Sequence, residues 1–406
     1  MNADTLARIL GITIKHDHTN KLVTFLCALS AYTEDPFNIS FNAPSSTGKS
    51  YIPIEIAKLF PKHDVVQLGY CSPTAFFHDV GEPDKEKKGR IVVDFSRKIL
   101  IFLDQPHNEL LSRLRPLLSH DSKTINIKIT DKSQKQGLRT KDVLLKGFPA
   151  VIHSSAGMVT NEQEATRMFL LSPEISQMKI RKSISETIIR EMDGAWYEER
   201  LKNNELRATL TMRIHAIKAA HIKNIKIAPA LKKEIHKVFL SDNAQLRPRS
   251  QRDIKRFISL MKAFALLNFW WRKHECTTIT VHHDDFNEAL AIWEELAPAQ
   301  DLNIPPYVHQ LYRDVILPAW QDKQKAYNGR TIGLTRGEVL GEHYRVYGRM
   351  LDAIQFRQQI LPMLETSGLV VEERDPHNKR RKYIYPATTD MRVNSVRRGG
   401  VPAITD

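Results

Sequence analysis

The stretch Ile99–Leu111, ILIFLDQPHNELL, decides how the rest of the chain is read. Its apolar residues Ile99 to Leu103 are too few for a buried helix and enough for a strand buried on both faces. The run stops on Asp104, followed by Gln105 and a helical pattern, NELLSRLRPLLS. A carboxylate at the end of such a strand sits at the edge of a sheet. There it either caps the next helix or holds a cation, and what else lies on that edge decides between the two.

Upstream, FNISFNA alternates as a strand and runs into PSSTGKS, after which YIPIEIAKLFP reads as a helix. In the pattern G-x-x-x-x-G-K-S/T, loop amides cradle phosphate, the lysine neutralises the β and γ oxygens, and the hydroxyl holds Mg2+. Gly48, Lys49 and Ser50 supply its second half. Ala43 stands where the first glycine would, and Pro44, Ser45, Ser46 and Thr47 complete the loop. Strand before and helix after is the context the motif requires. The alternative, a chance Gly-Lys-Ser at a strand end, leaves the acidic strand downstream unexplained. Paired with Lys49, Asp104 becomes the natural partner of Mg2+ together with Ser50. ATP and Mg2+ are the expected cofactors. Gln105 can orient a water molecule but cannot take its proton at neutral pH. His107 or Glu109 could, although Glu109 reads equally well as a first-turn residue favoured by the helix dipole.

With 406 residues the chain can build two or three cores. Its longest nearly apolar stretch, LVTFLCALSAY at 22–32, is too short to span a bilayer, and no basic leader precedes an apolar run. Cys27, Cys71 and Cys276 have no paired spacing, so neither a zinc site nor a disulfide framework is expected. A reducing, cytoplasmic setting without membrane contact is the simplest expectation. The net charge of +14 favours a polyanionic partner, because phosphate contacts release counterions.

Strands and helices alternate through residue 172, as in an α/β sheet. TINIKITDKSQKQGLRTKDVLLKG interrupts them as a β-hairpin with a basic tip, concentrating Lys128, Lys132, Lys135, Arg139 and Lys141. DKEKKGR, with Lys85, Lys87, Lys88 and Arg90, sits on a second turn and reads equally well as a solvated loop. Residues 173–296 read as helical, and 297–308 as a proline-containing linker. Two helices, a strand, a basic turn and a strand follow at 309–386, the order of a winged helix, and 387–406 reads as a tail. Such a module would lay its second helix, about 350–367, near a major groove. Lys379, Arg380 and Arg381 on the wing would meet phosphates. Gln355 and Arg357 on that helix could reach bases or serve core and surface roles.

The order of these parts resembles the MCM-like AAA+ helicases with a hairpin before sensor 1, especially those of bacterial mobile elements. The resemblance covers roughly residues 10–300. It implies a P-loop AAA+ α/β domain with a helical lid, followed by an α+β winged-helix domain. PAVIHSSAG falls where sensor 1 lies, which implies Ser155 or its neighbour Ser154 in that role. EQEATRMFLLSP implies Arg167 as an arginine finger acting on a neighbouring subunit. SQRDIKRFISLMKAFALL implies Arg252 as sensor 2, with Arg247, Arg249 and Arg256 close by. Ala43 and Gln105 depart from the family's pattern, and the residues before the P-loop leave no room for the large N-terminal collar of the MCM proteins.

The resemblance thus implies a ring, most simply a hexamer, that couples ATP hydrolysis to movement along single-stranded DNA in the replication of a mobile element. The alternative is a nucleotide-switched DNA-binding initiator or helicase loader, with slow or no hydrolysis. The hairpin at 125–146 argues for the motor, and Gln105 suits the switch. A purely structural adaptor would have no use for Gly48-Lys49-Ser50 together with Asp104.

Overall fold

The structure, a computed structural model, describes residues 1–69, 71–72, 74–77, 81–131, 139–155, 166–240, 249–327, 332–375, 378 and 380–387. The chain forms two compact units. One comprises Met1–Glu174 with Lys179–Asp301, the other Ile175–Met178 with Leu302–Asp406.

The first unit opens with α1 (Ala3–Leu10) and α2 (His18–Ser30), then β1 (Ile39–Asn42), α3 (Tyr51–Ala57) and β2 (Val65–Leu68). β3 (Glu82–Pro83), β4 (Arg90–Asp94), β5 (Ile99–Phe102) and α4 (Asn108–Leu118) follow. β6 (Thr124–Asp131), β7 (Arg139–Lys146), β8 (Ala150–Ser155) and β9 (Phe169–Leu171) complete its strands up to residue 172. Five of them form one sheet in the order β2-β5-β8-β1-β9, parallel throughout. Every residue of β1, β5, β8 and β9 is buried, as expected where helices cover both faces of a parallel sheet. Because side chains alternate across a strand, Ile99 and Ile101 enter the core that holds α2, while Leu100 and Phe102 enter the one that holds α4. The apolar run that ends on Asp104 is therefore a central strand serving two cores.

The basic hairpin is present as β6 and β7, paired antiparallel from Thr124↔Lys146 to Asp131↔Arg139. It belongs to a second sheet, β3-β4-β7-β6. β4 runs parallel to β7, with Arg90 opposite Asp142. The turn at 84–89 therefore lies at the same end of this sheet as the strand ends that bound residues 132–138.

The segment that reads as a helical lid holds helices and a small sheet. Helices α5 (Gln177–Met192), α6 (Gly194–Lys202), α7 (Glu205–Ala220), α8 (Lys232–Phe239) and α9 (Ser250–Leu267) do form. A small sheet joins β10 (Asn224–Ile227), between α7 and α8, with β11 (His274–Glu275) and β12 (Thr278–Val281), after α9. Its β12 buries Ile279 and Val281 on alternate positions, a strand period too short to stand out among long helices. α10 (His283–Asp301) then runs through Pro298, so the start of the expected 297–308 linker is helix. The residues on both sides of position 172 share one compact unit, and the second unit, apart from Ile175–Met178, runs from Leu302.

In the second unit, α11 (Pro306–Leu311) and α12 (Leu317–Ala326) flank a π turn at Tyr312–Ile316. α13 (Arg336–Tyr347) starts with a capping box between Thr335 and Glu338 and ends on Gly348 at φ 66°. α14 (Ala353–Gln355), a π turn at Phe356–Ile360 and α15 (Leu361–Thr366) make the next helical segment. β13 (Val370–Arg374) and β14 (Lys382–Pro386) form an antiparallel hairpin. Among the described residues, no helix is long and apolar enough to cross a membrane.

Candidate nucleotide site

The loop that follows β1 lies at the C-terminal edge of the parallel sheet, where crevices form in open α/β sheets. Asn42 is in register with Ser155, so the loop and the end of β8 start side by side. Ser46 and Gly48 take positive φ, 63° and 97°. The glycine of the Gly-Lys-Ser triplet is thus required for backbone reasons, whereas Ala43, at the position of the first glycine, is not a positive-φ residue.

Lys49 curls its ammonium over the loop and donates to the Ala43 carbonyl at 2.6 Å and the Ser155 carbonyl at 2.9 Å. The Ser50 hydroxyl donates to the Leu103 carbonyl at 3.2 Å. Asp104 is the next residue, so the hydroxyl and the carboxylate arrive at one place on the edge. They are hard oxygen donors of the kind that Mg2+ prefers, and they suit the expected metal. Asp104 accepts from the Gln105 N–H at 2.7 Å and is exposed.

Gln105 is engaged as well: its side-chain oxygen accepts from the Ser155 hydroxyl at 3.1 Å. Of the two serines, Ser155 faces this cluster. Ser154 precedes it on β8 and so points to the other face of the sheet. The two nearby groups that could accept a proton are committed elsewhere. His107 caps α4, its Nδ1 accepting from the Glu109 N–H at 3.2 Å, and the Glu109 carboxylate is paired with Arg113.

Arg167 and Arg252 lie together, and not here. Arg167 precedes β9, whose first residue, Phe169, is in register with Ile39 at the start of β1. They therefore occupy the N-terminal edge of the sheet. β1 rises ~3.3 Å per residue, so its own length puts the P-loop roughly 13 Å away, beyond the opposite edge. Arg167 donates from Nε to the Ser119 hydroxyl at 2.5 Å. Arg252, exposed, donates to the Thr166 hydroxyl. Both line a cleft with Asp35, His120, Lys255 and Lys262.

The neighbouring arginines take structural roles. Arg249 and Arg256 are buried on either side of Asp253, with nitrogen–oxygen distances of 3.2 and 2.9 Å. Arg256 also donates to the Thr166 carbonyl, and Arg249 to the Gln300 side chain at 3.2 Å. Burial, with Arg249 and Arg252 nearby, pushes the Arg256 guanidinium down to about 9, still charged at neutral pH. Arg247 lies outside the described residues.

One lysine at the P-loop edge escaped the sequence reading. Lys179 is the buried residue of α5. Its ammonium pairs with Asp17 and donates to the Thr47 carbonyl at 3.0 Å and the Glu174 carbonyl at 2.9 Å. In sequence it is one charge in a charged helix, and only its burial separates it from the others.

Of the basic residues, Lys128 is exposed on β6 opposite Asp142. Lys87 pairs with Asp142 at 2.5 Å, and Arg90 pairs with Asp84; Lys85, Lys87 and Lys88 are exposed on that turn. Arg139 and Lys141 stand opposite Asp131 and Ile129 in the hairpin ladder. Lys132, Lys135 and Lys379 lie outside the described residues. Arg380 and Arg381 are exposed at the turn before β14, and Arg357 is exposed on the π turn while Gln355 is half-buried.

No protein-family model and no curated protein matches the chain. Among solved structures it is similar to "a putative ATPase" from Cytophaga hutchinsonii, at 12% identity over 70% of this chain and 84% of that one, with a TM-score of 0.32. An overlap of that size is too small to carry a fold or a function from one chain to the other.

Proposed function

We propose that the chain is an ATPase that works as a ring of identical subunits on DNA, with each site shared between neighbours. The observation that carries this reading is the division of the site. Lys49, Ser50, Asp104, Gln105 and Ser155 converge on one edge of the sheet, while Arg167 and Arg252 gather on the other. Arginines so far from their own loop can meet a bound phosphate only on another copy. A neighbour's arginine stabilises charge on the phosphoryl group in transfer, which makes assembly a condition of turnover.

Mg-ATP bound at the P-loop supplies the phosphoanhydride to be broken. Lys49 exchanges its two carbonyl partners for phosphate oxygens. Ser50 and Asp104 hold the metal, and Gln105, oriented by Ser155, positions water. The turn at 84–89, with Lys85 and Lys88 exposed, and the exposed Lys128 on β6 suit a DNA backbone. The helices and β-hairpin of the second unit follow the order of a winged helix, with Arg380 and Arg381 towards a duplex.

One observation favours a second reading, a nucleotide-switched DNA binder such as an initiator or loader. With His107 and Glu109 both engaged, Gln105 faces the water position without a free base at hand. Steady-state ATP turnover, with and without single-stranded DNA, separates the two readings. DNA-stimulated turnover that is lost in Lys49→Ala and in Arg167→Ala is expected. ATP binding with no turnover above the Lys49→Ala background would overturn the motor and leave the switch.

A further inference from the structure

Lys179 reaches the phosphate loop from a helix that the motif does not contain. Its ammonium donates to the Thr47 carbonyl at 3.0 Å and would lie 3.9 Å from a Cβ placed on Gly48. In a trans peptide the carbonyl and the following N–H point in opposite directions within one plane. Fixing the Thr47 carbonyl therefore fixes the direction of the Gly48 N–H, one of the amides that a phosphate would meet. Gly48 holds φ at 97°, in a region open to glycine on either side of the loop, so its own backbone does little to choose that direction.

The ammonium is itself held on three sides. Besides the loop it binds the Glu174 carbonyl and pairs with Asp17, which is 1% exposed. Asp17 accepts from the Asn20 amide at 2.9 Å and from the Glu174 N–H at 2.7 Å. His16 and Asp17 both adopt left-handed backbone, φ 56° and 49°. Residues with a side chain rarely take it, and it persists where the surroundings over-determine it. That conformation brings the carboxylate under Lys179. The entrance to α2, the exit of β9 and the first turn of α5 are thus joined at one point, and that point bears on the phosphate loop.

We propose that Lys179 is a positioning residue of the nucleotide site: it clamps the Thr47–Gly48 peptide, and through it α5 sets the affinity of the loop for phosphate. The proposal rests on the nucleotide reading of the loop. Its test is a titration of the full-length chain with a fluorescent ATP analogue and Mg2+, beside thermal unfolding of each variant. In the double variant Asp17→Asn/Lys179→Met both charges of the pair are removed, so neither is left without the other. The clamp predicts a cooperative unfolding transition close to that of the unaltered chain, with nucleotide bound roughly ten- to hundredfold more weakly, the worth of one charge-assisted hydrogen bond. Lys179→Arg, which keeps a charged donor, is expected to recover most of the affinity.

Unchanged affinity in a folded double variant would overturn the clamp while leaving the nucleotide site intact. An unaltered chain that binds no nucleotide would overturn the nucleotide reading, and the clamp with it. Should the double variant lose its cooperative transition, the decision passes to Lys179→Arg against Lys179→Gln. The charged donor must bind nucleotide more tightly, and equal affinities overturn the proposal.

Discussion

The two edges of the parallel sheet are built by different means. At the C-terminal edge, the two hydrogen-bonding side chains of the Gly-Lys-Ser triplet rest on backbone carbonyls at or beside the strand ends: Lys49 on Ala43 and Ser155, Ser50 on Leu103. At the N-terminal edge they rest on hydroxyls and a buried ion network drawn from distant segments. Thr166 and Ser119 receive Arg252 and Arg167, while Arg249, Asp253 and Arg256 underlie them. Carbonyl partners can be exchanged for phosphate oxygens at little cost. A network of buried charges is a rigid footing. On the proposed reading, the first edge takes up the ligand and the second presents a fixed cation to one held elsewhere.

The largest effect expected from that contrast is a complementation. Lys49→Ala and Arg167→Ala should each abolish turnover, with an arginine acting in trans worth ~10³-fold or more. Mixed in equal amounts, they should regain part of it. A Lys49-containing loop of one variant then faces the intact Arg167 of the other. Steady-state ATPase assays on the mixture decide the point, and a mixture as inactive as its components would place both defects in one subunit's site.

The second effect is on stability. Asp253 is 2% exposed and lies between two buried guanidiniums. Asp253→Asn leaves those charges without their carboxylate, which costs about 3–5 kcal/mol where buried pairs are broken. Urea unfolding should register that loss, while nucleotide affinity at the opposite edge stays near its original value. A variant that unfolds normally but loses nucleotide affinity would mean that the two edges communicate through the sheet.

The same contrast explains what could be read from the sequence. Gly48-Lys49-Ser50 and the run ending on Asp104 were legible because each is local: a few contiguous residues specify strand, turn and chemistry together. The hairpin at 124–146 was legible for the same reason, through alternation of Ile125, Ile127 and Ile129. Near Arg252, sequence could only offer four arginines, since what separates Arg249 and Arg256 from Arg252 is their contact with Asp253 and Gln300. Asp253 stands on the same helix as Arg252 and Arg256, and Gln300 on α10. Lys179 was illegible because its partners, Asp17 and Thr47, lie 162 and 132 residues away. The strands of the small sheet were hidden by their shortness, and the end of α10 by Pro298, which the helix accommodates.

The smallest effect sharpens the first edge itself. Gln105→Glu would install a base while keeping an acceptor for the Ser155 hydroxyl, now 3.1 Å from the Gln105 side-chain oxygen. If proton removal from water limits turnover, the rate should rise on the order of 10²-fold, about 2.7 kcal/mol, the lower end of what a placed general base contributes. ATP affinity should hardly change, because the substituted residue lies outside the phosphate loop. Single-turnover hydrolysis measures the chemical step apart from product release. An unchanged rate would mean that the arginine supplied from the other edge, not the base, sets the pace. A lower rate would mean that the Ser155–Gln105 hydrogen bond is the water-positioning device and that a carboxylate disturbs it. Each outcome assigns the chemical step to one edge of the sheet, and the rate of the unaltered chain cannot make that assignment alone.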